Sequence, residues 1–336
     1  MPTFAHTKYE LVIIGAGPTG LGAAVYATRE GMSTLVLDKG VVGGLAAITD
    51  RIDNYPGFDQ GISGLDLSEH LESHARRFGA EIHTGVEVQG LTKSGHTVNI
   101  QTSAGAIQAE AVLVATGSTY KHLGVPGEQE HIGRGVHFCA TCDAPLYRGR
   151  DVTVVGGGNS AIQESLFIAK FAKHVTLLVR GPELRGTEIL REQLQALSNV
   201  LFRYNTVVES LRGDGARITG LHVRDTAAGN EHDLRTDAVF VFIGLLANTQ
   251  PFAGTIDLDS SGFVVTKSNF ATSLPGVYAA GDVRSGSTWQ IASAVGEGVS
   301  ATLAIRAYLD RLHHDVHTAK AMARRRAKAS VSRSDA

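Results

Sequence analysis

The chain has 336 residues, 43% of them hydrophobic and 19% charged, with 31 basic side chains set against 33 acidic ones. At about 100–200 residues per domain the length asks for two domains, and a net charge of -2 excludes the strongly basic surface that would call for nucleic acid. No apolar run reaches the roughly 18–20 residues that cross a bilayer, and no basic leader precedes the first apolar run, so a cytoplasmic protein without membrane contact is expected.

In chain order, residues 11–14 read as a short apolar strand that runs into Gly15-Ala16-Gly17-Pro18-Thr19-Gly20. A helical stretch at 21–30 follows, then a second strand at 35–37 that ends at Asp38. This is a dinucleotide-binding unit. The first glycine permits the tight turn, the second lets backbone N–H groups approach a pyrophosphate, and the third lets helix and strand pack closely. A helix at 65–77 turns Leu67 and Leu71 inward and carries His70 and His74 one turn apart, as an ordinary amphipathic surface does. A strand at 111–115 ends in Thr116-Gly117-Ser118, and Cys139-Ala140-Thr141-Cys142-Asp143 comes next. Then the opening unit repeats: a strand at 152–155, the turn Gly156-Gly157-Gly158-Asn159-Ser160-Ala161, a helix, and a strand at 175–179. A final strand at 277–280 ends in Gly281-Asp282, with Gln290 at the start of a helix. Residues 313–336 hold six Lys/Arg and two Asp/Glu without hydrophobic periodicity, which predicts a basic flexible tail.

The repeat predicts an α/β fold of two Rossmann-like three-layer dinucleotide-binding domains, the second inserted into the first. The outer domain takes residues 1–119 and 247–315, the inserted one 120–246, and the tail 316–336. The two copies differ where the second strand ends. Asp38 lies 23 residues after Gly15, and Val179 lies 23 residues after Gly156. An acid there hydrogen-bonds a ribose 2′-hydroxyl, whereas its absence beside arginines suits a 2′-phosphate. With Arg180 and Arg185 following Val179, the second site favours NADPH over NADH.

Two cysteines three apart can close a small redox-active ring whose thiolates respond to local charge. As a zinc site the pair is half complete, so no metal is expected. A purely structural disulfide is out of place in a cytoplasmic chain. Cys142 stands fourteen residues before Gly156, which puts the pair on the inserted domain. Hydride cannot pass directly from a nicotinamide to a disulfide without a two-electron relay, and a flavin on the first site supplies one.

Taken together, Gly15 to Gly20, Gly43-Gly44, Asn54-Tyr55-Pro56-Gly57, Ala115-Thr116-Gly117, the Cys139 to Asp143 motif, Gly156 to Ala161, and Ala280-Gly281-Asp282 with Gln290 resemble the low-molecular-weight, bacterial-type thioredoxin reductases over about residues 8–312. The resemblance implies a homodimer that reduces thioredoxin or a thioredoxin-like protein. Its small domain swings between a pose that serves the partner and a pose that returns the disulfide to the flavin. It implies FAD on Gly15, Gly17, Pro18, Thr19, Gly20, Asp38, Lys39, Gly44, Leu45, Asn54, Val88, Thr116, Gly117, Gly281, Asp282, Gln290 and Ile291. NADPH would take Gly156, Gly158, Asn159, Ser160, Ala161, Arg180, Arg185 and Ile243. Cys142 would be the flavin-proximal thiol, Cys139 the one that attacks the partner disulfide, and Asp143 the acid/base.

Three positions depart from the family pattern: Gly181 replaces an expected arginine, Leu45 a glutamine and Trp289 a basic residue. They leave two alternatives. One is an NADPH-independent flavin disulfide oxidoreductase of the same fold, linked to ferredoxin or using oxygen. The other is a flavin-binding module whose cysteines only sense redox state.

Overall fold

The computed structural model describes residues 4–49, 52 and 54–334, with side chains described as far as Asp315. Strand β1 (Lys8–Ile14) is apolar at consecutive positions because its last four residues are covered on both faces, as parallel strands are. Gly17 caps α1 (Pro18–Arg29), with proline at its first turn, where a missing N–H costs nothing. Then come β2 (Thr34–Leu37), the short α2 (Gly44–Ala47) and α3 (Gly64–Arg77). The Ser63 hydroxyl accepts from the Asp66 amide at 3.0 Å to start α3, and Arg76 and Arg77 suit its negative end. Strand β3 (Glu81–His83) precedes the hairpin β4 (Val88–Ser94) and β5 (Thr97–Thr102), and the long β6 (Gly105–Val114) follows.

The chain then crosses on β7 (Ser118–Tyr120) into the inserted unit, through α4 (Glu128–His131), β8 (Val136–His137) and α5 (Ala140–Asp143). The repeat follows as β9 (Asp151–Val155), α6 (Asn159–Ile168), β10 (His174–Leu178), α7 (Glu188–Gln195) and β11 (Val200–Arg203). A meander of β12 (Thr206–Gly213), β13 (Ile218–Asp225) and β14 (Glu231–Arg235) leads to β15 (Ala238–Val241). The return is β16 (Leu245–Ala247), paired with β7, and the chain closes on β17 (Val277–Ala279) and α8 (Ile291–Ser334).

Two compact units result. One comprises residues 1–49, 55–118 and 247–336, the other 50–54 and 119–246. In the outer unit the parallel strands run β3-β2-β1-β6, with β17 on the far side of β6 and β5 and β4 continuing antiparallel. Leu11 and Ile13 face a core shared with α1, α3 and α8, while Val12 and Ile14 face a second core closed by β4 and β5. Small residues set the spacing of α1 and α8: a Cβ on Gly298 would lie 2.3 Å from the Thr19 carbonyl oxygen.

The inserted unit repeats the plan, with a parallel sheet β11-β10-β9-β15-β8. Helices α5, α6 and α7 cover one face around Val154, Ile162 and Phe240; the meander covers the other around Val155, Leu221 and Val239. Both units are therefore three-layered, as expected, with an antiparallel sheet rather than helices as the third layer. The backbone at 316–334, read from the sequence as a flexible tail, continues α8 to Ser334. Alanine, lysine and arginine, which dominate that stretch, are strong helix formers even without an apolar stripe.

Candidate active site

The first glycine turn is shaped by backbone contact. Gly15 has φ +114, and a Cβ there would lie 2.2 Å from the Ala115 carbonyl oxygen; one on Gly20 would lie 1.9 Å from the Gly15 oxygen. A Cβ on Gly17 would meet nothing within 4 Å. The turn is thus crowded at its first and third glycines and open at its second, and α1 has no acid in its first turn to compete with an anion. Asp38, just past β2, accepts from the Ala16 amide through Oδ2 and from the Gly40 amide through Oδ1, each at 2.7 Å. Lys39 beside it is exposed. The Gly43 amide donates to the Ala16 carbonyl at 2.8 Å, and a Cβ on Gly44 would lie 3.7 Å from Gly17 Cα, so the start of α2, with half-buried Leu45, sits against the turn.

The later segments join them. Gly281, at φ +76, packs so closely on Thr19 that a Cβ would lie 2.2 Å from its hydroxyl. Asp282 accepts from the Ser287 hydroxyl at 3.1 Å; burial pushes its carboxyl up to about 6, against the pull of that hydrogen bond and with some help from the Glu297 charge. Thr116 and Gly117 are tied to Asn248: the Thr116 hydroxyl donates to the Asn248 carbonyl at 2.7 Å, and the Asn248 amide donates to the Gly117 carbonyl at 3.0 Å. Gln290 and Ile291 stand at the start of α8. Val88 is 5% exposed, its side chain taken up by the core, and Asn54 is grouped with the inserted unit. Trp289 is 41% exposed, at φ +51, with its ring edge-on to Phe263.

The second turn has the same form. A Cβ on Gly156 would lie 2.4 Å from the Phe242 carbonyl oxygen, whereas one on Gly158 would meet nothing within 4 Å. Again α6 opens without an acid, on Asn159, Ser160 and the buried Ala161. Val179 is 3% exposed and its methyl fills the space where a Gly157 Cβ would be, so no side chain at this strand end reaches for a ribose. The loop after it folds back: the Arg185 amide donates to the Gly157 carbonyl at 2.7 Å and the Thr187 amide to Asn159 Oδ1 at 2.8 Å. Arg180 and Arg185 are both exposed, and Ile243 is 37% exposed. Open glycines, acid-free helix starts, a carboxylate at the first site and two arginines at the second fit FAD and NADPH respectively.

Cys139 and Cys142 form a disulfide with Cα atoms 5.4 Å apart. Cys139 caps α5, its sulfur accepting from the Cys142 amide at 3.3 Å. Asp143 ends α5, and its amide donates to the Cys139 carbonyl at 3.2 Å. Helix α5 packs on α6, the helix that the second glycine turn begins. From α6, Glu164 faces the Ala140 amide; burial raises its carboxyl, partly offset by that amide. Among the described residues no group of three or more His, Cys, Asp or Glu is placed to hold a metal ion, and His70 and His74 instead lie against Phe58 and Phe78.

A family model for pyridine nucleotide-disulphide oxidoreductases matches residues 9–298. Thioredoxin reductase of Bacillus subtilis is 36% identical over 312 residues, covering 93% of this chain and 98% of its own length. That of Listeria monocytogenes is 38% identical over 304 residues, covering 90% and 95%. The chain belongs to the low-molecular-weight thioredoxin reductases within that family. The crystal structure of thioredoxin reductase from Streptococcus pyogenes superimposes with a TM-score of 0.86 at 34% identity, covering 91% of this chain and all of that one.

Three supporting residues in this member of the family carry no motif and escaped the sequence reading. Glu297, on α8, accepts from the Gly281 amide at 2.8 Å and pairs with Arg284, fixing the strand end that presents Asp282. Asn248 fixes the turn after β6. His137, 6% exposed, lies between Asp143 and Tyr147. Their partners are 13 to 132 residues away for the first two, a distance no local pattern spans.

Proposed function

We infer that the protein is an FAD-dependent thioredoxin-disulfide reductase driven by NADPH. The observation that carries this reading is the Cys139–Cys142 disulfide on α5, packed on the helix that begins at the second glycine turn. Bound FAD supplies what the chain lacks, a group that accepts hydride and delivers two electrons to a disulfide. Gly17, the start of α1, Asp38 and Asp282 would hold it; Gly158, Arg180 and Arg185 would hold NADPH.

The chain's own residues then perform thiol–disulfide exchange. In the reduced pair, the Cys139 thiolate attacks a disulfide sulfur of thioredoxin, and Cys142 closes on the mixed disulfide. The partner leaves with two electrons and the Cys139–Cys142 bond is restored. The Cys142 amide aimed at the Cys139 sulfur favours negative charge on it, which supports Cys139 as the attacking thiol. Asp143, adjoining the pair, takes and returns the thiol proton.

The reading includes a homodimer in the cytoplasm. Exposed Val41, Ile48 and Leu65 leave apolar surface on the outer unit that a second copy would cover. Among the described residues no helix is long and apolar enough to cross a membrane. The test is an anaerobic titration of purified protein with NADPH, NADH and dithionite, followed by turnover with a bacterial thioredoxin. NADPH bleaches the flavin and supports turnover if the reading holds. Bleaching by dithionite alone would instead select the pyridine-nucleotide-independent enzyme, and bleaching without turnover the redox sensor.

A further inference from the structure

His137 ends β8, two residues before Cys139, and is 6% exposed. Its Nδ1 lies 3.2 Å from Asp143 Oδ2 and its Nε2 2.7 Å from the Tyr147 hydroxyl. The Nε2 contact is a hydrogen bond shared with the Tyr147 hydroxyl, while Nδ1 and the Asp143 carboxylate stand at ion-pair distance. Tyr147 stays a neutral donor: burial first, then the Asp143 and Asp237 charges, push it up to about 12. Phe240, from β15, closes the ring's remaining side, with centroids 5.3 Å apart from the imidazole and 5.9 Å from the phenol. From α6, the Glu164 carboxyl faces the Ala140 amide at the start of α5. Each ring nitrogen therefore faces one polar group, and one of those two groups is the acid beside the cysteines.

We propose that His137 is a positioning residue for Asp143, holding Oδ2 so that Oδ1 meets the thiol proton during disulfide exchange. The proposal rests on the reading of Asp143 as the acid/base. As the reduced pair passes two electrons to a partner disulfide, the S–S bond between Cys139 and Cys142 closes and one thiol proton leaves. Asp143 takes that proton and later releases it to the partner's departing thiolate, while His137 only holds the carboxylate in place. A buried histidine serving only the core would fill space and satisfy its nitrogens. It would not need a donor at the Nδ1 position in particular. Asparagine separates the two roles, because its side-chain amide places an N–H near the position of Nδ1 but has neither the ring nor a group at Nε2.

The experiment compares His137→Phe, His137→Asn, Asp143→Asn and the His137→Phe/Asp143→Asn double variant as FAD-loaded full-length proteins. Two rates are measured: NADPH-driven reduction of a bacterial thioredoxin, and anaerobic bleaching of the flavin by NADPH alone. His137→Phe lowers kcat about tenfold, on the order of one orienting polar contact, with KM for thioredoxin and the bleaching rate unchanged. His137→Asn recovers most of the loss, and His137→Phe adds nothing once Asp143 is Asn. Full kcat in His137→Phe, an asparagine variant as slow as the phenylalanine one, or additive losses in the double variant would each overturn the proposal. Full turnover in Asp143→Asn would instead remove the acid/base reading on which it stands. If His137→Phe fails to fold, His137→Gln, whose longer side chain cannot put an N–H at the Nδ1 position, takes its place with the same expected loss.

Discussion

The Arg185 amide donates to the Gly157 carbonyl at 2.7 Å, so the arginine-bearing loop is anchored to the second glycine turn by its own backbone. With Val179 buried against Gly157, the positive charge at this strand end comes from Arg180 and Arg185 and is not balanced by a carboxylate in the position Asp38 holds in the other unit.

On the proposed reading, selectivity for NADPH is expected to reside in those guanidinium groups. Arg180→Ala or Arg185→Ala raises KM for NADPH roughly tenfold or more, about what a charge-assisted hydrogen bond contributes. KM for NADH stays nearly constant in both. The NADPH preference of the unmodified protein weakens as salt rises, because exposed charges are screened. Steady-state kinetics with both nucleotides at two ionic strengths checks this, and equal use of both by the unmodified protein would remove the argument.

Glycines 15 and 17 differ in what a side chain would meet, which separates folding from binding. Gly17 has φ -76 and open space around its missing Cβ. Gly17→Val keeps its thermal melt and loses FAD, because the methyls occupy the pyrophosphate's place. Gly15→Val loses both, since its Cβ would collide with the Ala115 carbonyl at an unfavourable φ. Flavin absorbance and circular dichroism of the two variants report the outcome; full FAD occupancy in Gly17→Val would misplace the cofactor.

Asp282 gives the flavin-stripped protein a pH-dependent stability. Its carboxyl is raised from 3.8 to about 6 by burial, so the folded state holds a proton that the unfolded state releases. The contribution is fully present below about pH 4 and is lost as pH rises through about 6, on the order of 2–3 kcal/mol in all. Asp282→Asn does not titrate and lacks this decline, so it gains on the unmodified protein between pH 4 and pH 7. Urea midpoints of both proteins at the two pH values measure the gain; parallel curves would show that Asp282 ionises freely in the fold.

On the proposed reading, each cysteine is expected to be needed for exchange but not for hydride transfer. Cys139→Ser and Cys142→Ser abolish thioredoxin turnover while NADPH still bleaches the flavin, because no sulfur lies on the path of the hydride. Stopped-flow absorbance and a thioredoxin assay separate the steps. Substantial turnover in Cys139→Ser would reverse the roles assigned to the two thiols.

What the sequence determined by itself is local in origin. Gly15-Ala16-Gly17 and Gly156-Gly157-Gly158 encode tight turns between an apolar strand and a helix, and their repetition sets two parallel sheets with one inserted in the other. Asp38 against Val179 is legible because each stands 23 residues after the first glycine of its own turn, inside one repeated unit, and the Cys139–Cys142 pair because it spans three residues. The tertiary structure alone decided which distant groups complete those turns. Asn248 reaches Thr116 across 132 residues, and Glu297 holds Gly281 from a helix whose own pattern only says buried or exposed. His137 lies near Asp143 in sequence, yet only the packing of β8, α5 and Phe240 brings its ring to that carboxylate. Such contacts satisfy polar groups that burial leaves without water, and burial is a property of the assembled layers rather than of any short segment.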